Sequence, residues 1–557
     1  MLVVIVGIII LIVGYIFYGG WLAKQWGVDD SKVTPAHELE DGMDYVPAKA
    51  PVLMGHHFSS IAGAGPINGP IQAAIFGWVP VLLWVLIGGI FFGAMHDFGA
   101  LFASIRHKGQ TLATVIAENI DDTAKKLFCI FSYLTLILVV AAFASIVAST
   151  FAVAPVPTDD AAKAVAVETG NLANMRTAMI SVLFIVVAVI YGVITRGRKI
   201  PAAANIVSAL AIIVVVVALG YNLPVIALDN TTWMILVGLY ILVASVAPVW
   251  ILLQPRDYLS SYLLYGMIAL ALVGIIGAGV MGNAASLDIP AFTGFSAAAG
   301  TSKVAASGFL FPALFITIAC GAVSGFHATQ SPLMARCLKT EREGLPVFGG
   351  AMITEGIIAF IWAAAALTFY GSPEALGAAT ANGKAPALAI QTISESWMGS
   401  VGSILVMIGV VILPISTGDG ALRVTRLMIA DSFKLSQEQL SRRLMIAIPL
   451  FAAAIAVSSM DYAVIWQYFG WANQLLAAAT LWAVSIYLRS KNRCCWPAAA
   501  PAAFLSLVVF QYLFSSPEMC GFSEEASLIA SVLLTAVIGV LCLFRGSGLE
   551  KAEEPSL

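Results

Sequence analysis

The stretch "GHHFSSIAGAGPINGPIQAAIFGW", residues 55–78, is apolar enough for a membrane, yet it carries Gly63, Gly65, Pro66, Gly69 and Pro70 in its middle. These are the poorest helix formers, placed where a bilayer most demands a helix. If its flanks are helical, the stretch from Gly63 to Pro70 starts about 12 Å from Gly55 and ends about 22 Å from it. That depth is near the centre of a hydrocarbon core of about 30 Å. Unwound backbone at such depth is tolerated only when it is buried in protein or lines a water-filled cavity.

The rest of the chain supplies the membrane. Of 557 residues, 60% are hydrophobic and 11% charged, with a mean hydropathy of +0.94. Soluble domains carry about 25% charged residues. Apolar runs fall at 2–22, 55–77, 79–105, 127–156, 177–195, 204–222, 232–254, 259–283, 308–328, 347–371, 399–415, 444–458, 462–487, 496–514 and 526–544. The expectation is therefore an all-α, polytopic bundle of about fifteen spans. The first run lacks a basic segment before it and is long enough to span, so it reads as a retained helix. Seven cysteines, scattered through apolar runs, suit small buried hydrophobes and argue against a disulfide framework.

Charge placement sets an expected orientation. Of 28 Lys and Arg, 24 fall in alternate loops beginning with 23–54, and the opposite loops hold only Lys163, Arg176, Lys303 and Lys384. The positive-inside rule then predicts an N-terminus outside and a C-terminus in the cytoplasm of a bacterial inner membrane.

The expected organisation is a helix at 1–22, a cytoplasmic connector at 23–54, five-helix units at 55–222 and 232–430, four C-terminal helices at 440–545 and a disordered tail at 546–557. The two units run in opposite directions, as inverted-repeat transporters require. Each should open on an interrupted helix, the second near Pro248 and again at Pro255. Half-helix N-termini favour anions and freed carbonyls favour cations. The expected substrate-binding positions are Gly63, Gly65, Pro66, Asn68, Gly69, Pro70, Gln72, Pro248 and Gln254, with the Pro248 region opposite the first break.

Six segments, "GHHFSSIAGAGPINGP", "HDFGALF", "LLQPRDYLSS", "CGAVSGFHATQSP", "DGALRVTR" and "FGWANQLLA", resemble the carbon starvation CstA family of bacterial membrane transporters. They run in family order from residue 55 to about 480. The resemblance implies uptake of peptides or pyruvate, proton coupling, and a LeuT-like core akin to the amino acid–polyamine–organocation superfamily. Many members carry Gln-Asp where this chain has His96–Asp97, and the best-known members are longer.

Ionisable groups at depth are expensive and mark coupling sites. Glu355 lies deepest, with no Lys or Arg in its own span. Asp97 is the second proton candidate, or else a gate partner or a cytoplasm-side carboxylate paired with Arg106 or another basic residue. Ser324, His327, Thr329 and Gln330 place hydroxyl, imidazole and amide groups in one apolar span, and serve a proton or, alternatively, sodium. Asp419, Arg423 and Arg426 share one helical stripe and are expected to form a cytoplasmic gate network. Asn473 and Gln474 read as a helix–helix hydrogen-bond pair.

Other classes fit less well. A channel should show a continuous polar stripe and a sensor a signalling domain, and neither is evident. His56–His57 and His96–Asp97 offer metal-ligand types, but adjacent histidines on a helix point about 100° apart. The expected partners are a small-molecule substrate, a coupling ion and lipid, with no nucleic acid, no metal and no cofactor.

Overall fold

The computed structural model describes residues 2–545 except 158–160, 196–197, 199, 283–286, 297–307, 381–384 and 461. The expected disordered tail, 546–557, lies outside the described residues, as do Lys303 and Lys384. Among the described residues the chain is helical throughout, with only isolated bridges pairing Ala48 with Leu338 and Ser296 with Phe309.

In chain order the principal helices are α1 (Leu2–Trp26), α2 (Ala50–Ile61), α3 (Gly65–Ala73), α4 (Trp78–Arg106) and α5 (Asp122–Phe151). Next come α6 (Ala161–Thr195), α7 (Ala202–Asn222), α8 (Asn230–Val246), α9 (Leu253–Val280), α10 (Leu310–Thr317) and α11 (Gly325–Ala335). The series closes with α12 (Glu341–Phe369), α13 (Gly402–Phe433), α14 (Leu440–Ser458), α15 (Tyr462–Ser490), α16 (Trp496–Ser515) and α17 (Glu524–Arg545).

Among the described residues, eleven helices are long and apolar enough to cross a membrane. Four expected runs are not among them. Three of these, at 55–77, 232–254 and 308–328, are interrupted or cut short by non-helical backbone. The fourth forms α15, which is 29 residues long but carries Gln467, Asn473, Gln474 and Thr480.

Burial sorts the helices into a centre and a rim. Glu355, Phe360, Trp362 and their neighbours make α12 buried on nearly all sides, as Asp419, Arg423 and Arg426 do for α13. On α1, α7 and α17 large apolar residues such as Phe17, Val214 and Leu533 are exposed. In water such a surface would be costly, while against lipid it costs nothing.

Packing is reciprocal around the interrupted helices. The half-helix α3 packs on α12, and the half-helix α11 packs on α4. Helices α5 and α13 cross each other, α9 packs on α13, and α15 packs on α5. The hairpin of α6 and α7 lies against α9, outside this arrangement.

Loops are tied together at each end. At one end the connector meets the turn after α11, with Ala48 N donating to Cys337 O at 3.0 Å and Thr34 Oγ1 to Leu338 O at 2.6 Å. The turn after α4 joins them through Arg336 Nε to Gly109 O at 2.8 Å. At the other end Val79 N reaches Ala291 O at 3.0 Å and Val153 N reaches Leu228 O at 3.0 Å.

Candidate functional site

The first break is shorter than the sequence suggests. Helix α2 ends at Ile61, only residues 62–64 are non-helical, and Gly65 already opens α3. The expectation of unwound backbone from Gly63 to Pro70 is therefore corrected. Pro66 stands in the first turn of α3, where its missing N–H has no intrahelical partner to lose. Asn68 N donates to Ala64 O at 2.9 Å and closes that turn.

The glycines serve close approach. A Cβ at Gly65 would lie within 3.0 Å of Cys320 Sγ, and one at Gly69 within 3.0 Å of the Thr317 carbonyl. Gly63 is likewise closed by Phe143. The partner of the first break is thus the polar span that carries His327, whose own interruption the sequence reading missed. Helix α10 ends at Thr317, residues 318–324 are non-helical, and Gly325 opens α11. A usable signal was present, because "CGAVSGFHATQSP" repeats the small-residue pattern and closing proline of "IAGAGPINGP".

Asn473 and Gln474 hold this second break. Asn473 Oδ1 accepts from Phe326 N at 2.7 Å, its Nδ2 donates to Ser324 Oγ at 3.0 Å, and Gln474 Nε2 donates to Phe315 O at 2.9 Å. Both amides thus serve backbone groups freed where the helix stops. A narrow crevice beside Gly65 is lined by Thr317, Cys320, Gln467, Gly470 and Tyr512. Among the described residues, the side-chain oxygens of Asn68 and Gln72 on α3 are buried without a hydrogen-bond partner.

Backbone is also non-helical at 247–252, around Pro248, but Pro255 sits in the first turn of α9 and breaks nothing. The Pro248 turn does not take the expected place against Gly63–Pro70. Val249 N donates instead to Met43 O of the connector at 3.4 Å, and Gln254 Nε2 lies 3.7 Å from Cys337 Sγ.

Three of the expected ionisable residues meet. Asp97 Oδ2 on α4 lies 2.8 Å from His327 Nδ1 on α11, and His327 Nε2 lies 3.1 Å from Glu355 Oε2 on α12. His96 Nδ1 lies 2.7 Å from Asp97 Oδ1. Asp97, His327 and Glu355 are fully buried. The His327–Glu355 approach lacks hydrogen-bond alignment, and among the described residues neither Glu355 oxygen has a well-aligned hydrogen bond. Asp97 does not pair with Arg106, which reaches Glu341 at 2.9 Å. Of the polar patch on α11, Thr329 donates to Phe326 O at 2.6 Å, Gln330 Nε2 to Thr329 Oγ1 at 3.3 Å, and Ser324 is held by Asn473.

A second buried cluster was not anticipated. His56 Nδ1 on α2 lies 2.5 Å from Asp257 Oδ2, and Arg256 Nε donates to Asp257 Oδ1 at 2.9 Å. Ser416 Oγ also donates to Asp257 Oδ1, at 2.9 Å. The Arg256 guanidinium bonds Asp419 and Tyr240. The stripe of Asp419, Arg423 and Arg426 therefore does not close on itself, since Asp419 turns to Arg256 while Arg423 Nη1 reaches Asp44 Oδ1 at 2.8 Å. Arg426 lies 3.7 Å from Asp44 Oδ2. His57, next to His56, stacks on Phe348 at 3.8 Å. Among the described residues no three His, Cys, Asp or Glu side chains are placed to share a metal ion.

Residues 1–401 and 374–511 match the family model described as carbon starvation protein CstA. The peptide transporter CstA of Bacillus subtilis is 31% identical over 97% of this chain and 95% of its own length. The pyruvate/proton symporter BtsT of Escherichia coli is 33% identical over 64% of this chain and 48% of its own. A solved manganese transporter from Eremococcus coleocola superposes with a TM-score of 0.52 at 12% identity, covering 92% of this chain and 99% of that one. That last likeness concerns the fold alone.

Proposed function

The chain belongs to the carbon starvation protein CstA family, and from that premise we propose a secondary active transporter importing small carboxylate-bearing nutrients, pyruvate or short peptides and amino acids, with protons. The relatives named above are transporters, so the chain is read as a carrier and not an enzyme. It is placed in the bacterial inner membrane with fifteen spans, the N-terminus outside and the C-terminus inside. The grouping of loops at two ends supports this, because each bonded pair of loops falls on one side of that topology.

The inverted units are placed from α2 and from α10, instead of at 55–222 and 232–430. Their support is the exchange in which α3 rests on α12 and α11 on α4, as a two-fold relation between units would produce. In this division α6 and α7 are an insertion.

The observation that carries proton coupling is the trio of Asp97, His327 and Glu355. One imidazole lies between two carboxylates, away from any Lys or Arg ion pair. With His327 charged, His96 on Asp97 neutral and both carboxylates ionised, one negative charge stays uncompensated in a dry interior, which costs several kcal/mol. One added proton makes the trio neutral. Opening of this interior to water during alternating access would relieve the burial that disfavours the Glu355 charge, while His327 favours the ionised form, and so release that proton.

Glu355→Gln imitates the protonated state. In proteoliposomes this variant should lose uphill uptake driven by a pH gradient and keep substrate exchange at equal concentrations. Gradient-driven accumulation at the normal level would remove Glu355 from the mechanism. It would transfer coupling to Asp97, or to sodium at Ser324 and Thr329.

A further inference from the structure

Two arginines bond the last turn of α8, just before the Pro248 break, and a third shares their carboxylate partner, Asp44. Arg423 Nη2 donates to the carbonyls of Ala244 and Ala247, and Arg443 Nη1 to that of Val246 at 2.5 Å. Arg426 Nη1 donates to Gln437 Oε1. Their exposures are 0%, 7% and 0% for Arg423, Arg443 and Arg426. The C-terminal carbonyls of a helix attract cations, which accounts for part of the assembly.

The charges do not balance, since Asp419, the other carboxylate acting on Arg423, is already bonded by Arg256. The carboxylate paired with this group is Asp44, 2.8 Å from Arg423 Nη1 and 3.7 Å from Arg426 Nη2. Neighbouring Arg336 is matched by Asp431 at 3.3 Å. Among the described residues, Arg423 Nε, Arg426 Nε and Nη2, and Arg443 Nε are buried without a hydrogen-bond partner. Unpaired buried guanidinium donors are costly, and a planar anion would satisfy the Nε and Nη2 pair of Arg426 at once.

Asp44 is borne on the connector and not on a spanning helix. Asp41 Oδ1 holds its turn by accepting from the backbone N–H of Met43, Asp44 and Tyr45. Burial works against the Asp44 charge, but the Arg423 and Arg426 guanidiniums outweigh it and hold the carboxyl below its usual range.

We propose that Arg423, Arg426 and Arg443 form a carboxylate-binding site on the connector side of the protein, and that Asp44 is its tethered resident ligand. A transported carboxylate displaces Asp44 as it leaves, and the return of Asp44 closes the exit. This rests on reading the chain as a carrier of carboxylate nutrients. Short tethers give effective concentrations of about millimolar order, so a free carboxylate competes at comparable levels.

The test uses the purified full chain with acetate, which replaces the deleted group, and with pyruvate. Asp44→Ala should melt at a lower temperature than the parent. Acetate or pyruvate should restore it, the gain growing with the logarithm of ligand concentration. Adding Arg426→Gln should abolish the rescue. No rescue by either carboxylate, or equal rescue by chloride and sulfate, overturns the proposal. Should the alanine variant not fold, Asp44→Asn is titrated by calorimetry. It should bind pyruvate at least ~10-fold more tightly than the parent, and an unchanged affinity overturns the site. Binding is read here without transport. A chain that binds acetate at these arginines yet moves no carboxylate in vesicles would refute the carrier reading and leave the site standing.

Discussion

Arg256 shows what a single residue holds in this interior. Its guanidinium is 1% exposed and bonds Asp257 and Asp419, whose charges would otherwise stand together in a dry core. Arg256→Gln should destabilise the protein by about 3–5 kcal/mol, because it leaves a buried carboxylate uncompensated. Thermal unfolding in detergent measures this, and an unchanged melting temperature would show that His56 alone neutralises the cluster. The sequence marked Asp97, His327 and Glu355 individually, because an ionisable residue in an apolar run is visible by itself. It could not pair them. His327 and Asp97 are 230 positions apart, and no local pattern connects such residues.

At the scale of the element, glycine and proline located the first break to within a few residues. They misjudged its extent, because Gly65 and Pro66 start a helix as readily as they end one. The second break carries a similar small-residue signal, but the amide that holds it, on Asn473, lies 147 positions from Phe326 and no local pattern connects them. Asn473→Ala leaves the Phe326 N–H unpaired in the interior and should cost about 1–3 kcal/mol. Uptake should fall with stability in that variant, and uptake at the parent's rate would show that α11 caps itself.

The connector behaves as an element of its own and has a defined pH response. The Asp44 carboxyl lies below its usual range in the folded chain. Its contribution to holding the connector is therefore complete above the ordinary aspartate value of about 3.9. That contribution is lost as pH falls through the lower folded value. Hydrogen exchange across residues 41–48 should accelerate only below about pH 4. In Asp44→Asn it should be fast and show no such step.

The whole molecule makes a topological prediction. Cys494, after α15, and Cys520, after α16, are both exposed and lie on opposite ends of α16. In the proposed orientation an impermeant thiol reagent applied to intact cells labels Cys520 and spares Cys494. Inverted vesicles should show the reverse, and labelling of Cys494 from outside would invert the topology.

Membrane residence, the positions of the apolar runs and the alternation of charged loops were determined by the sequence itself. Each depends on the local composition of about twenty residues measured against a bilayer. The tertiary structure alone decided which break faces which, that Asp419 turns to Arg256, and that Asp44 reaches Arg423 across 379 positions. Such pairings depend on how helices rotate and cross when they pack, and that geometry minimises uncompensated charge and empty space over the whole bundle at once.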